Sequence, residues 1–131
     1  MIQRIQTLYL FGAAIISTLG AFVLPLYATE SVVFRATAGM YTFLTFGISM
    51  SLFSGAVLLY RNRKMQLVVV RIGMLSALAA MGFIVQAILT NAGAEARWGA
   101  AAPFVCILFA FLASKGIQKD EKKVRSLDRL R

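Results

Sequence analysis

The chain has 131 residues, of which 60% are hydrophobic and 15% charged, with a net charge of +9 and no His. That length holds one domain, and a soluble domain of this size, in which roughly a quarter of the residues are charged, could not hide so much apolar surface. The basic residues are confined to a few short stretches instead of being spread over a surface, which argues against a nucleic-acid binder.

A membrane-crossing helix needs about 20 mostly apolar residues, because the hydrocarbon core is roughly 30 Å thick and a helix rises about 1.5 Å per residue. Four segments qualify. Residues 7–27 (TLYLFGAAIISTLGAFVLPLY) are uncharged, and Pro25 is expected to bend or end the helix. The apolar run exceeds the roughly 7–15 residues of a signal peptide, and Leu26-Tyr27-Ala28 lacks a small residue at its first position, so cleavage is not expected. Residues 39–60 (GMYTFLTFGISMSLFSGAVLLY) are uncharged, with an aromatic near each end that suits the membrane interface. Residues 67–89 carry one charge, Arg71, about one turn from the start. Residues 98–114 are the shortest span, opened by Trp98 as an interfacial anchor. A basic tail, residues 115–131, closes the chain. Cys106 lies inside an apolar run with no second Cys to pair with, and reads as a small hydrophobe. The expected fold is all-α: an integral membrane four-helix bundle of two antiparallel hairpins.

Lys and Arg are retained on the cytoplasmic side of a membrane protein. One side holds Arg4, Arg61, Arg63, Lys64, Arg71, Lys115, Lys119, Lys122, Lys123, Arg125, Arg129 and Arg131; the other holds Arg35 and Arg97. Both termini and the RNRKMQ loop (Arg61 to Gln66) are therefore expected to be cytoplasmic. Arg71 can snorkel back to that interface; the competing reading is a charge held between helices, but no span offers an acid to pair with it.

Helices in lipid associate through small residues and interhelical hydrogen bonds. Contact faces are expected at Ala13, Ser17 and Ala21, at Ser51 and Gly55, and at Gly73, Ser76, Ala77 and Ala80. Thr42, Thr45, Ser49 and Gln86 are expected to bond a neighbouring helix or their own backbone. The outer loops each hold one acid and one base, Glu30 with Arg35 and Glu95 with Arg97, which can form local ion pairs. Loops this short are too small for an outer domain.

Metal or acid–base catalysis needs clustered His, Cys, Asp or Glu. With no carboxylate inside the spans, no His and no glycine-rich phosphate loop, the sequence points away from an enzyme and calls for no cofactor, metal or catalytic residue.

Three stretches, MIQRIQTLYL at Met1 to Leu10, RNRKMQ at Arg61 to Gln66 and KDEKKVRSLDRLR at Lys119 to Arg131, resemble the four-helix membrane proteins of Bacteroidota bacteria grouped as domain-of-unknown-function family 4293. The closing motif is the most specific, through Asp120, Glu121, Val124, Arg125, Ser126, Asp128, Arg129 and Arg131. The resemblance covers the whole chain and implies an integral protein of the bacterial inner membrane; it supplies no catalytic residues.

All three stretches fall on the side counted as cytoplasmic. If the tail is helical, Ile117 and Val124 share a face with Leu127 about 80° away, and acid-before-base order allows Glu121 to pair with Arg125. Asp120, Glu121 and Asp128 interrupt the basic run, which suits a docked helix better than a polybasic lipid anchor. Topogenic charge with anionic lipid contact, docking on the bundle or a protein partner, nucleic-acid contact and disorder remain competing readings, nucleic acid being disfavoured because no aromatics interleave the basic residues. The leading expectation is a non-enzymatic assembly, scaffold or regulatory protein. Its cytoplasmic recognition residues would be Arg4, Arg61, Arg63, Lys64, Arg71, Asp120, Glu121, Arg125, Ser126, Asp128, Arg129 and Arg131. Its partners would be the bilayer, anionic head groups and a membrane protein or further copies of itself. The alternative is a small oligomeric carrier or channel component, with Arg71, Gln86 and the hydroxyls of the second span lining a path.

Overall fold

The computed structural model describes residues 2–130, and the side chains of residues 5–130. Four helices account for most of the chain: α1 (Ile2–Phe22), α2 (Met40–Leu58), α3 (Arg63–Thr90) and α4 (Ala102–Arg129). Each contains a stretch long and apolar enough to cross a membrane. They pack as a ring in chain order, with α4 returning to α1 across the most extensive contact face.

The first span ends earlier than its hydropathy indicates. Proline disfavours helical geometry in the residue before it, and α1 closes at Phe22 with the amides of Val23 and Leu24 on the Leu19 carbonyl. Pro25–Ala28 then forms strand β1. β1 pairs antiparallel with β2 (Val33–Arg35) on one edge and β3 (Glu95–Ala96) on the other, giving the order β2-β1-β3. The α1–α2 and α3–α4 loops are thus joined by backbone pairing, reinforced by stacking of Tyr27 on Phe34 at 4.8 Å. Glu30, Arg35, Glu95 and Arg97 are all exposed, and no ion pair forms among these four. Gly99 lies so close to β1 that a Cβ there would stand 2.5 Å from the Pro25 carbonyl oxygen.

The core is two stacked clusters. One gathers Leu10, Phe53, Val70, Cys106 and Ile117, and the other, nearer the strands, gathers Leu26, Phe46, Ile84 and Ala102. The outward faces stay apolar, as at Phe11, Ile15 and Leu19 of α1, because lipid would replace water there. Ala13, Ser17 and Ala21 are buried, as are Gly73, Ala77 and Ala80. The Ser51–Gly55 stripe is not a contact face: Ser51 is exposed and bonds its own Gly47 carbonyl at 2.9 Å. The reason is size matching. α2 presents Phe46, Ser49, Phe53 and Ala56 inward, and α3 answers with Gly73, where a Cβ would meet the Phe53 ring at 2.7 Å.

Polar groups at depth are spent locally. Thr45 donates to the carbonyls of Tyr41 and Thr42, Ser49 donates to that of Thr45, and Ser76 crosses from α3 to the Thr45 carbonyl at 2.8 Å. Cys106 is buried 3.2 Å from the Ser17 hydroxyl. The Gln86 side chain, by contrast, is exposed on α3.

Candidate recognition surface at the basic end

The end of the bundle opposite the strands is built around α4. Its buried residues Cys106, Ala110, Ala113, Ile117 and Asp120 recur at alternating steps of four and three, the seam of a helix packed against neighbours. No Pro interrupts the residues beyond Ser114, and Lys, Glu, Arg and Leu favour helix, so α4 runs unbroken to Arg129. Residues 115–129 therefore extend the fourth span as one helix. The apolar side continues past the bundle: Ile117 is buried, whereas Val124 is 42% and Leu127 63% exposed.

Asp120 anchors this extension. Gln6 of α1 donates from Nε2 to Asp120 Oδ2 at 2.8 Å, with the two residues only 6% and 7% exposed. The approach depends on Gly116, where a Cβ would meet Gln6 Cγ at 2.8 Å. From the α2–α3 turn, Arg63 donates from Nη1 to the Asp120 carbonyl at 3.4 Å. The turn itself is held by two side chains. Asn62 caps α3 by accepting from the Met65 amide at 3.3 Å, satisfying one of the unpaired amides of a helix start. Gln66 is buried and donates to the Ala56 carbonyl at 3.0 Å, closing the end of α2.

These contacts leave a groove of about 880 Å³ between two walls, Tyr60, Arg61, Asn62, Arg63 and Lys64 on one side and Glu121, Val124 and Arg125 on the other. Glu121 pairs with Arg125 at 2.9 Å. Arg61 is held by Tyr60, its Nε 3.2 Å from the phenol oxygen and its guanidinium carbon 5.7 Å from the ring centre. A smaller hollow of about 200 Å³ adjoins it, lined by Leu67, Arg71, Gln118, Glu121, Lys122 and Arg125.

The structure thus brings Arg61, Arg63, Lys64, Glu121 and Arg125 to one groove, puts Arg71 at its neighbour and buries Asp120 beneath. Arg71 is exposed, not enclosed between helices. Ser126 bonds the Lys123 carbonyl at 2.7 Å, and it, Asp128 and Arg129 stand exposed on the last turns of α4 and do not line the groove. Arg4 and Arg131 fall outside the described side chains. Sequence reasoning gave no role to Gln6 or Gln66, and read Tyr60 as an interfacial aromatic and not as part of the site. The two glutamines lie within MIQRIQ and RNRKMQ, and the signal was there: each is an uncharged amide on the inward face of an apolar helix, where a polar group must find a partner.

Four apolar helices closed into a ring define a multi-pass helical membrane protein. The family model described as Domain of unknown function (DUF4293) matches residues 2–130, and the chain belongs to that family. No curated protein and no solved structure matches it.

Proposed function

We propose that the chain is a non-enzymatic assembly or regulatory protein of a bacterial inner membrane, with both termini cytoplasmic and its basic end serving as the recognition face. The observation that carries this reading is the buried Gln6–Asp120 bond with Arg63 on the same residue. It ties all three distinctive stretches of the sequence into one surface. Burying a carboxylate and an amide costs free energy that a purely topogenic tail would have no reason to meet, since positive charge alone orients a membrane protein. A helix held in this way presents Val124, Leu127 and Leu130 at fixed positions beyond the bundle.

The carrier reading draws less support. Its path would need Arg71, Gln86 and the α2 hydroxyls facing one another, whereas Arg71 and Gln86 are exposed and Thr45 and Ser49 are engaged with backbone carbonyls. Crosslinking in native membranes followed by affinity recovery tests the proposal. The full chain should recover a defined partner, and Leu127→Asp with Leu130→Asp should lose it while keeping the bundle folded. A purified chain that moves a solute across liposomes, with recovery indifferent to those substitutions, would contradict it.

A further inference from the structure

We infer that the groove between the α2–α3 turn and the α4 extension is a binding site for a phosphate-bearing anion. Four cationic side chains, Arg61, Arg63, Lys64 and Arg125, line it against one carboxylate, Glu121, which is already paired with Arg125. No acid neutralises the other three among the described residues. Those three are neighbours in the RNRK turn, and the fold sets Glu121, Val124 and Arg125, about sixty positions further along the chain, against them as the facing wall.

Two of the guanidiniums are oriented without being neutralised. Arg61 rests on the Tyr60 phenol and ring, and Arg63 reaches a main-chain carbonyl, so neither is paired with an acid and each has further N–H groups to donate. Like charges gathered around one open groove repel one another, and together they attract an incoming anion. The planar fork of Arg matches two oxygens of a phosphate at once, which a carboxylate-free wall leaves available. The volume, about 880 Å³, admits a group larger than inorganic phosphate, and Tyr60 and Val124 give it apolar wall on which an attached organic portion can lie. The shared chemistry is a phosphate ester or anhydride, whether on a lipid head group or on a soluble compound.

The inference rests on the reading of this end as a recognition face, but the two fail separately, because the Leu127 and Leu130 substitutions, outside the groove, test partner recovery and the charges below test the anion. The full chain is placed in nanodiscs of phosphatidylcholine and titrated with inorganic pyrophosphate. In parallel, discs doped with phosphatidic acid are assayed by native mass spectrometry for lipid retained on the protein. Binding in the first assay identifies a soluble source and retention in the second a lipid source; either supports the site. Arg61→Gln with Arg63→Gln should weaken binding by about tenfold or more, whereas Lys119→Gln with Lys123→Gln, the same charge loss on exposed α4 positions outside the groove, should change it by less than about threefold. Glu121→Gln should tighten binding, a gain that a misfolded protein would not show. Equal losses from the two charge-matched pairs, or no binding of either probe, would overturn the inference.

Discussion

The two ends of the bundle are closed by different means. At the strand end the backbone does the work: β1 bonds β2 and β3, and Gly99 lets the chain before α4 press against the Pro25 carbonyl. At the basic end side chains do it, through Gln6, Arg63, Asn62 and Gln66. Backbone pairing depends little on residue type and serves to seal an end. Side-chain bonds demand particular residues at particular positions, and the distinctive sequence of this chain is concentrated where those bonds are made.

The sharpest separation of the two ends is topological. With Cys106 replaced by Ala, a single Cys at Val32 and a single Cys at Lys123 should react with a membrane-impermeant thiol reagent from opposite sides, an all-or-none difference. Labelling of both from one side would break the comparison at its root. Next in size, Gly99→Ala should destabilise by about 3 kcal/mol, because the new methyl meets backbone that cannot step aside. Thermal unfolding in detergent reads this directly.

Gln6→Leu should cost about 2 kcal/mol, the loss of a hydrogen bond to a buried carboxylate that is then left without its donor. Limited proteolysis should then cut within residues 115–129 faster than in the parent chain. Gly116→Ala should cost less, about 1 kcal/mol, since a side chain can yield where a carbonyl cannot, and its effect should be strongly non-additive with Gln6→Leu. A Gly116 variant as damaging as the Gly99 variant would show that both ends are equally rigid.

How much of this was legible in the sequence differs by region for physical reasons. Spans α2 and α3 could be read within a few residues, because an apolar run bounded by charge has one explanation in a membrane. The end of α1 was legible only in part: Pro25 marks it, but residues 23–27 remain apolar after leaving the helix and hydropathy does not distinguish strand from helix. The fourth span was read as ending at Ser114, where the apolar run stops, although the helix does not stop with it. Small residues were a partial guide: Ala13 and Gly73 mark contact faces, but Ser51 and Gly55 do not, because α2 packs through Phe46 and Phe53. The site residues Arg61, Arg63, Lys64, Glu121 and Arg125 were named from charge and motif, whereas their common groove depends on long-range packing that a single sequence does not encode locally. The Glu121–Arg125 pair, four residues apart on one helix, was within reach of local rules.

The central claim is that the α4 extension is a fixed wall of the basic end. Pulsed electron spin resonance between nitroxides at Met65 and Lys123, both exposed and clear of the Gln6–Asp120 bond, measures it most directly in the Cys106→Ala background. The account predicts one narrow distance population, unchanged between detergent and bilayer and broadened by Gln6→Leu; a broad distribution in the parent chain, indifferent to that substitution, would contradict it.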